Sequence, residues 1–348
     1  MQISREKKLS PNQSKYFEVW RGGAALVVAT AHMIQLFPNS FSHSTYKLAA
    51  LIAGGAVMAF FAISGFFIHK SVASNSKYLH ININHYFIKR INRIIPPFIF
   101  SIILTIMLWA TAPYVFESNN TNFITSNGRD NFSLEGLIPT IFFLNNFIGP
   151  TLNANGALWS LTFEIWYYIL APLIFLWITK GIRKFLLLFL GISITLTTLS
   201  PSFALYGIVW TAGFCISIAH SNNIQLDKSG KLFFTTLLIS LIFLIINFFS
   251  NEQQKLLILL FELSAGVAIN LYFHRFLKKQ HTAGINVLLT KPANFSYSLY
   301  ITHFPIMLFA YGINTDQPYA ALIIAIIIAY ISGRYIEKLQ IIKSKKFN

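Results

Sequence analysis

Apolar runs of 17 residues or more recur along the chain, separated by short polar stretches. The pattern predicts helices near 17–37, 48–69, 94–112, 157–178, 184–200, 203–219, 231–250, 255–274, 295–312 and 318–337. At ~1.5 Å per residue, runs of this length match a bilayer's hydrocarbon core of ~30 Å. The fold class expected is therefore all-α, a polytopic integral membrane bundle of about ten transmembrane helices. The longest polar stretches, 1–16, about 70–93 and about 113–134, are too short for a second domain. Residues 1–348 are read as one membrane domain, with 1–16 a cytoplasmic N-terminal segment and 338–348 a cytoplasmic basic tail. Leu134 to Pro150 breaks the pattern: it is apolar but short, and it contains Pro139 and an Asn145-Asn146 pair. A crossing there would reverse every later loop. The segment is either re-entrant, roofing a cavity, or an interfacial helix on the outer face.

Composition and charge orient the bundle. The chain is 55% hydrophobic and 11% charged, with a net charge of +16. With the N-terminus inside, all but four of the 27 Lys and Arg residues fall in inner segments; the exceptions are Lys47, Arg129, Lys255 and the intrahelical Arg21. That bias is the positive-inside pattern, so both termini are expected in the cytoplasm, and the charge points to membrane lipids rather than nucleic acid. No small-x-small cleavage site follows the first apolar run, which reads as a retained helix. The single Cys215 excludes an intrachain disulfide and reads as a buried structural thiol. No repeat relates the two halves of the chain, against the commonest transporter plan.

The polar residues inside apolar runs carry the candidate chemistry, because a charge at membrane depth costs at least ~2.5–3.5 kcal/mol and faces a cavity, ligand or partner. Arg21 and His32 share one helix face, ~16 Å apart along the axis. Near Arg21, toward the cytoplasm, lie Ser64-Gly65, close to the exit of the second helix, and Lys89, Arg90 and Arg93, leading into the third. Arg90 and Arg93 are one turn apart and suited to grip a phosphate, although anchoring a helix end is the ordinary role of such residues. Toward the outer surface, His32 and Glu164 lie at similar depth. A carboxylate beside a histidine fixes its tautomer and orients it as a general base; a structural bond within the bundle is the alternative for Glu164. Trp159, Trp166, Tyr167 and Tyr168 around it form an interfacial belt or a sugar-stacking wall. His303 falls near midmembrane, below His32 in rank because a lone histidine is more often a packing residue. His69, His80, His85, His220, His274 and His281 belong to inner loops or helix ends and read as solvated surface, and their spacing gives no metal site. Glu262 is a buried acid without an assigned partner.

Five of these elements stand in the order of a known family. The Arg21-x10-His32 pair, Phe60-Phe61-x-x-Ser64-Gly65-Phe66, Arg90-x-x-Arg93, Leu158-Trp159-Ser160-Leu161-x-x-Glu164 and Ser296-Tyr297-Ser298-Leu299-Tyr300-x-x-His303-x-Pro305 resemble the motifs of the membrane acyltransferase 3 family, which modifies bacterial surface glycans. Two positions depart from it: Glu18 replaces the Asp common before the arginine, and Gly23 a bulkier residue. The resemblance implies a stand-alone membrane O-acyltransferase of the bacterial inner membrane, similar to O-antigen acetylases. It implies acetyl-CoA as co-substrate, with no permanently bound cofactor or metal, and a lipid-linked or surface glycan as acceptor. On this reading Arg21, Arg90 and Arg93 hold the CoA phosphates, and Ser64 and Gly65 let the pantetheine arm pass. His32 accepts the acyl group or acts as general base, Glu164 orients it, and Trp159, Ser160, Tyr297 and His303 line the cavity. The alternative is a proton-coupled transporter or flippase for an anionic lipid or glycan, in which the same buried groups form an ion path. Acyl length, acceptor sugar and oligomeric state are left open.

Overall fold

The structure, a computed structural model, describes residues 7–74, 76–77, 80–116, 125–126, 129–130, 133–224, 229–250, 254–278 and 286–342. His281 and the last six residues of the expected basic tail lie outside them. The described residues are mainly helical, with two short antiparallel pairings among them, Ser76–Lys77 with His80–Ile81 and Thr125–Ser126 with Arg129–Asp130. Among the described residues eleven α-helices follow in order: α1 (Pro11–Leu36), α2 (His43–Ser74), α3 (Ile83–Val115), α4 (Leu134–Ile141), α5 (Trp159–Lys180), α6 (Arg183–Leu199), α7 (Pro201–Ser221), α8 (Ser229–Phe249), α9 (Lys255–Lys278), α10 (Ser296–Ile313) and α11 (Pro318–Tyr335). Tight 3-10 segments, Asn153–Leu158 and Val287–Phe295, lead into α5 and α10.

All ten expected segments are helices. Seven are long and apolar enough to cross a membrane: α2, α3, α5 with its 3-10 lead-in, α7, α8, α9 and α11. The other three differ for visible reasons. Helix α1 carries Lys15, Glu18 and Arg21, α6 has 17 residues, and the first half of α10 carries Ser296, Tyr297, Ser298, Tyr300, Thr302 and His303. The packing is that of a bundle in lipid. In α11, Ala321, Ala325 and Ala329 are at most 1% exposed, while Ile323, Ile327 and Ile331 are more than half exposed. Helix α8 buries Ser229, Ser240 and Asn247 and turns Leu238, Ile242 and Ile245 outward. Small or polar residues inward and large apolar ones outward is the arrangement expected when the surroundings are hydrocarbon.

Three helices begin five or more residues before the apolar runs: α2 starts at His43 rather than 48, where Ser42 Oγ accepts from Thr45 N at 3.2 Å, and α1 and α3 are capped likewise. Ser10 and Gln13 form a reciprocal cap, Gln13 N donating to Ser10 Oγ at 3.2 Å and Ser10 N to Gln13 Oε1 at 3.0 Å. With Pro11 at the first helical position, this starts α1 six residues before the expected 17. Asn82 Oδ1 accepts from His85 N at 2.9 Å and starts α3 at Ile83 rather than 94. Arg90 and Arg93 therefore stand on the helix itself, before Pro96 and Pro97. The 134–150 segment is an eight-residue helix, ~12 Å long, capped by Ser133 and followed by turns in which Phe143 and Asn146 take positive φ. It does not cross. Asn145 is fully buried and donates to Thr151 Oγ1 at 2.9 Å, while Asn146 donates to the Trp159 carbonyl at 2.9 Å, so the turn is bonded to the residue before Leu152 and to the start of α5.

The chain divides into two compact units with boundaries inside α1, α2, α3 and α5. The first comprises Met1–Trp20, Gly54–Tyr86 and Phe163–Leu289; the second comprises Arg21–Ala53, Phe87–Thr162 and Thr290–Asn348. In the first, α2 and α7 touch backbone to backbone: a Cβ at Gly65 would lie 2.0 Å from the Trp210 carbonyl oxygen, and one at Gly213 would lie 2.2 Å from that of Ala62. In the second, Met33 of α1 and Phe37 just beyond it pack with Ile306 and Met307 of α10 and with Ala321 and Ala325 of α11. Cys215 is exposed, not buried as its apolar run suggested. In a membrane protein an apolar run indicates depth in the bilayer, and half of its positions face lipid.

Candidate functional site

The second unit builds a histidine pair. His32 of α1 and His303 of α10 lie with ring planes 7° apart and His32 Nδ1 2.7 Å from His303 Nε2. The other nitrogen of His303, Nδ1, is 2.8 Å from the Leu299 carbonyl one turn back. A carbonyl only accepts, so His303 Nδ1 carries the proton and, with the ring neutral, Nε2 is an acceptor. His32 Nδ1–H then donates to it, and His32 Nε2 is left with its lone pair free of this network. His303 is fully buried, whereas His32 keeps some exposure. This arrangement suits the inner ring to orient the outer one and leaves a nitrogen of the outer ring available for proton transfer or nucleophilic attack.

The surrounding groups hold this pair from several elements. Phe304 meets the His32 ring edge-on at 5.3 Å, and the bare side of Gly156 lies against Phe304. Ser160, the second residue of α5, is 2.5 Å from the Tyr300 hydroxyl, and the Tyr300 ring lies 6.2 Å from His303. Trp159 precedes it and stands half-buried. One further layer was not singled out in the sequence: Asn155, fully buried at a kink in the lead-in to α5, donates to Ser101 Oγ at 3.0 Å and to the Ile301 carbonyl at 2.9 Å. Its signal was a polar residue beside Gly156 directly before an apolar helix, which reads equally well as an ordinary loop.

Arg21 and the α3 segment that carries Arg93 both bond to residues at or just before the start of α10. Arg21 Nη2 donates to the Ala293 carbonyl at 3.2 Å, and Gly22 lies so close to Pro292 and Ala293 that a Cβ there would come within 2.7 Å. Tyr297 donates to the Ile94 carbonyl at 3.3 Å, next in sequence to Arg93, and Asn92 exchanges two hydrogen bonds with Ile342. Arg90 is half-buried and Arg93 exposed, one turn apart on α3. Residues 293–297 are thus the common neighbour of Arg21 and of the α3 segment carrying Arg93. Along α1, Arg21 and His32 stand ~16 Å apart.

Glu164, Ser64 and Gly65 belong to the first unit. There the Tyr168 hydroxyl donates to Glu164, Ser64 donates to the Tyr168 oxygen at 3.4 Å, and Trp210 Nε1 donates to Ser64 at 3.3 Å. The geometry therefore gives His32 a histidine as its Nδ1 partner, and gives Glu164 a tyrosine. Gly65 departs from its expected role: its bare side is filled by the Trp210 carbonyl, so the missing side chain admits a helix rather than a pantetheine arm. Glu262, without an assigned partner in the sequence, accepts from Tyr206 at 2.9 Å. Among the described residues no three His, Cys, Asp or Glu side chains are grouped to hold a metal ion.

Comparison with known proteins adds the family. The profile of a family described as an acyltransferase domain matches residues 14–334. A protein of Haemophilus influenzae described as uncharacterized is 28% identical over 200 residues, covering 56% of this chain and 76% of its own. No solved structure matches.

Proposed function

The chain belongs to the acyltransferase 3 family, and from that premise we propose that it moves an acetyl group from cytoplasmic acetyl-CoA to a hydroxyl of a cell-surface glycan, O-antigen or exopolysaccharide. The single observation that carries this reading is the His32–His303 pair: it leaves one imidazole nitrogen as a base or nucleophile on the same helix as Arg21. In direct transfer, His32 Nε2 takes the acceptor's hydroxyl proton as the oxygen attacks the thioester carbonyl. The C–S bond breaks, and the CoA thiolate recovers the proton from the imidazolium. In the two-step route the same lone pair attacks the thioester carbonyl and the C–S bond breaks to expel the CoA thiolate; the hydroxyl oxygen then takes the acyl group from Nε2, and its proton passes to the thiolate. Both routes need Nε2 unprotonated and aimed, which is what a hydrogen bond from Nδ1 to His303 provides.

Arg21, Arg90 and Arg93 hold the donor's phosphates at the inner mouth, an assignment supported by the bond of Arg21 to Ala293, by the bond of Tyr297 to the Ile94 carbonyl beside Arg93, and by the place of Arg90 one turn before Arg93. The catalytic assignment of Glu164 rests on its motif. Ten spans, cytoplasmic termini and a place in the bacterial inner membrane belong to the same proposal and are supported by the bias of Lys and Arg toward alternate segments. The test is release of free CoA from acetyl-CoA by membranes carrying the protein and its acceptor. Release that disappears in His32→Ala supports the reading, and equal release by that variant overturns it.

A further inference from the structure

The second unit contains a cavity of about 530 Å³ that the chemistry above leaves unused. Its volume is that of a small-molecule site, which runs from ~300 to ~1,000 Å³. It lies between the start of α10 and the end of α11, and its walls are of two kinds. Arg334 and Lys338 bring two cations, while Phe295 and Tyr330 bring two rings, edge to face at 5.8 Å. Its carboxylate, Glu337, accepts from Ser298 N at 2.9 Å and from Ser298 Oγ at 2.6 Å. That negative charge is tied to the first turn of α10, where free N–H groups and the helix dipole favour it. Asn294 contributes an amide. Gly333 lies so close to Phe295 that a Cβ would come within 2.6 Å of it, so any side chain there would push a wall of the cavity aside.

A ligand fitting these walls carries an anionic group for Arg334 and Lys338 and a flat ring for Tyr330 and Phe295. The cavity also adjoins the donor end of the site. Asn294 follows Ala293, whose carbonyl accepts from both Arg21 and Ser296. From this end, α1 leads ~16 Å from Arg21 to His32, and α10 leads ~12 Å from Phe295 to His303. We propose that the cavity takes the nucleotide end of the acyl donor, with the adenine ring against Tyr330 and Phe295 and a phosphate on Arg334 and Lys338. The inference rests on the acyl-CoA reading of the same unit, and it assigns a ring-and-phosphate site distinct from the arginines of α1 and α3.

The test is equilibrium binding of adenosine 3′-phosphate 5′-diphosphate, the nucleotide end of CoA alone, to the purified protein in lipid nanodiscs, alongside transfer from acetyl-CoA and from S-acetylpantetheine. Arg334→Ala and Tyr330→Ala should each weaken nucleotide binding about tenfold, the size of one charge-assisted hydrogen bond or one ring stack. They should raise KM for acetyl-CoA similarly and leave S-acetylpantetheine turnover unchanged, with Arg334→Lys recovering part of the loss. Unchanged nucleotide binding and unchanged KM in both alanine variants would overturn the inference while leaving the transferase reading intact. Equal losses with both donors, reversed by adding anionic phospholipid, would show a lipid headgroup in the cavity and overturn it as well. Nucleotide binding that depends on Arg334 in a protein that transfers nothing would support the cavity assignment and sink the transferase reading instead.

Discussion

Replacing His303 with alanine removes the acceptor of the His32 Nδ1 proton and nothing else that the reaction touches. His303 is fully buried, and its ring spans from the Leu299 carbonyl, at 2.8 Å, to His32, at 2.7 Å. Without it the His32 imidazole is free to rotate and to place its proton on either nitrogen. A neutral hydrogen bond in a protein interior contributes ~1 kcal/mol, and leaving its donor unsatisfied costs up to ~3 kcal/mol. At ~1.4 kcal/mol per tenfold in rate, the expected loss in kcat is ~5- to 150-fold. KM for acetyl-CoA should hold, because Arg21, the proposed donor contact on α1, stands ~16 Å away along the helix. His303→Gln keeps an acceptor oxygen and should regain part of the rate; a merely structural defect would not be rescued this way. The assay is CoA release at saturating acetyl-CoA by protein in native membranes, with folding checked by donor binding. A kcat for His303→Ala within about a factor of two of the unaltered protein, less than a weak hydrogen bond accounts for, refutes the orienting role.

Further outcomes follow from the packing and the polar clusters. Gly65→Val forces side-chain atoms against the Trp210 carbonyl and should lower the thermal midpoint in detergent by several degrees, the ~1–3 kcal/mol of an overpacked contact; Gly23→Ala, with nothing within 4 Å, should leave it unchanged. Tyr206→Phe takes the hydroxyl from Glu262 and should cost ~1–3 kcal/mol in the same melt, with Tyr206→Phe/Glu262→Leu closer to the unaltered protein than the single change. Arg21→Ala loses the bond to the Ala293 carbonyl and should raise KM for acetyl-CoA more than it lowers kcat, as read in initial-rate kinetics. Cys215, exposed on an apolar helix, should react with a membrane-permeant maleimide and resist a charged one when the protein sits in lipid; equal labelling by both would contradict a lipid-facing position.

Much of this was legible in the sequence because lipid leaves few choices. A run of some 20 apolar residues must be helical to satisfy its own backbone, so all ten expected helices formed. Their starts were harder, since Ser10-x-x-Gln13 and Asn82 lie in polar segments where hydropathy is silent and only capping chemistry marks the boundary. Arg21 and His32 could be paired from spacing along one helix. His303 could not be paired with His32, because the two stand 271 residues apart and only the packing of α1 against α10 brings their rings together. Gly65 shows the converse limit: a bare position in a motif reads as room for a ligand, and here a neighbouring helix occupies that room.

The central claim is that His32 Nε2 serves acyl transfer from a cytoplasmic donor. Its most direct test is to give inside-out membranes acetyl-CoA labelled in the acetyl group and to measure label in the glycan-lipid fraction, for the unaltered protein and for His32→Ala. The account predicts label in the first and none in the second, with acetyl-CoA binding retained in both. Label of equal amount in the two would contradict it.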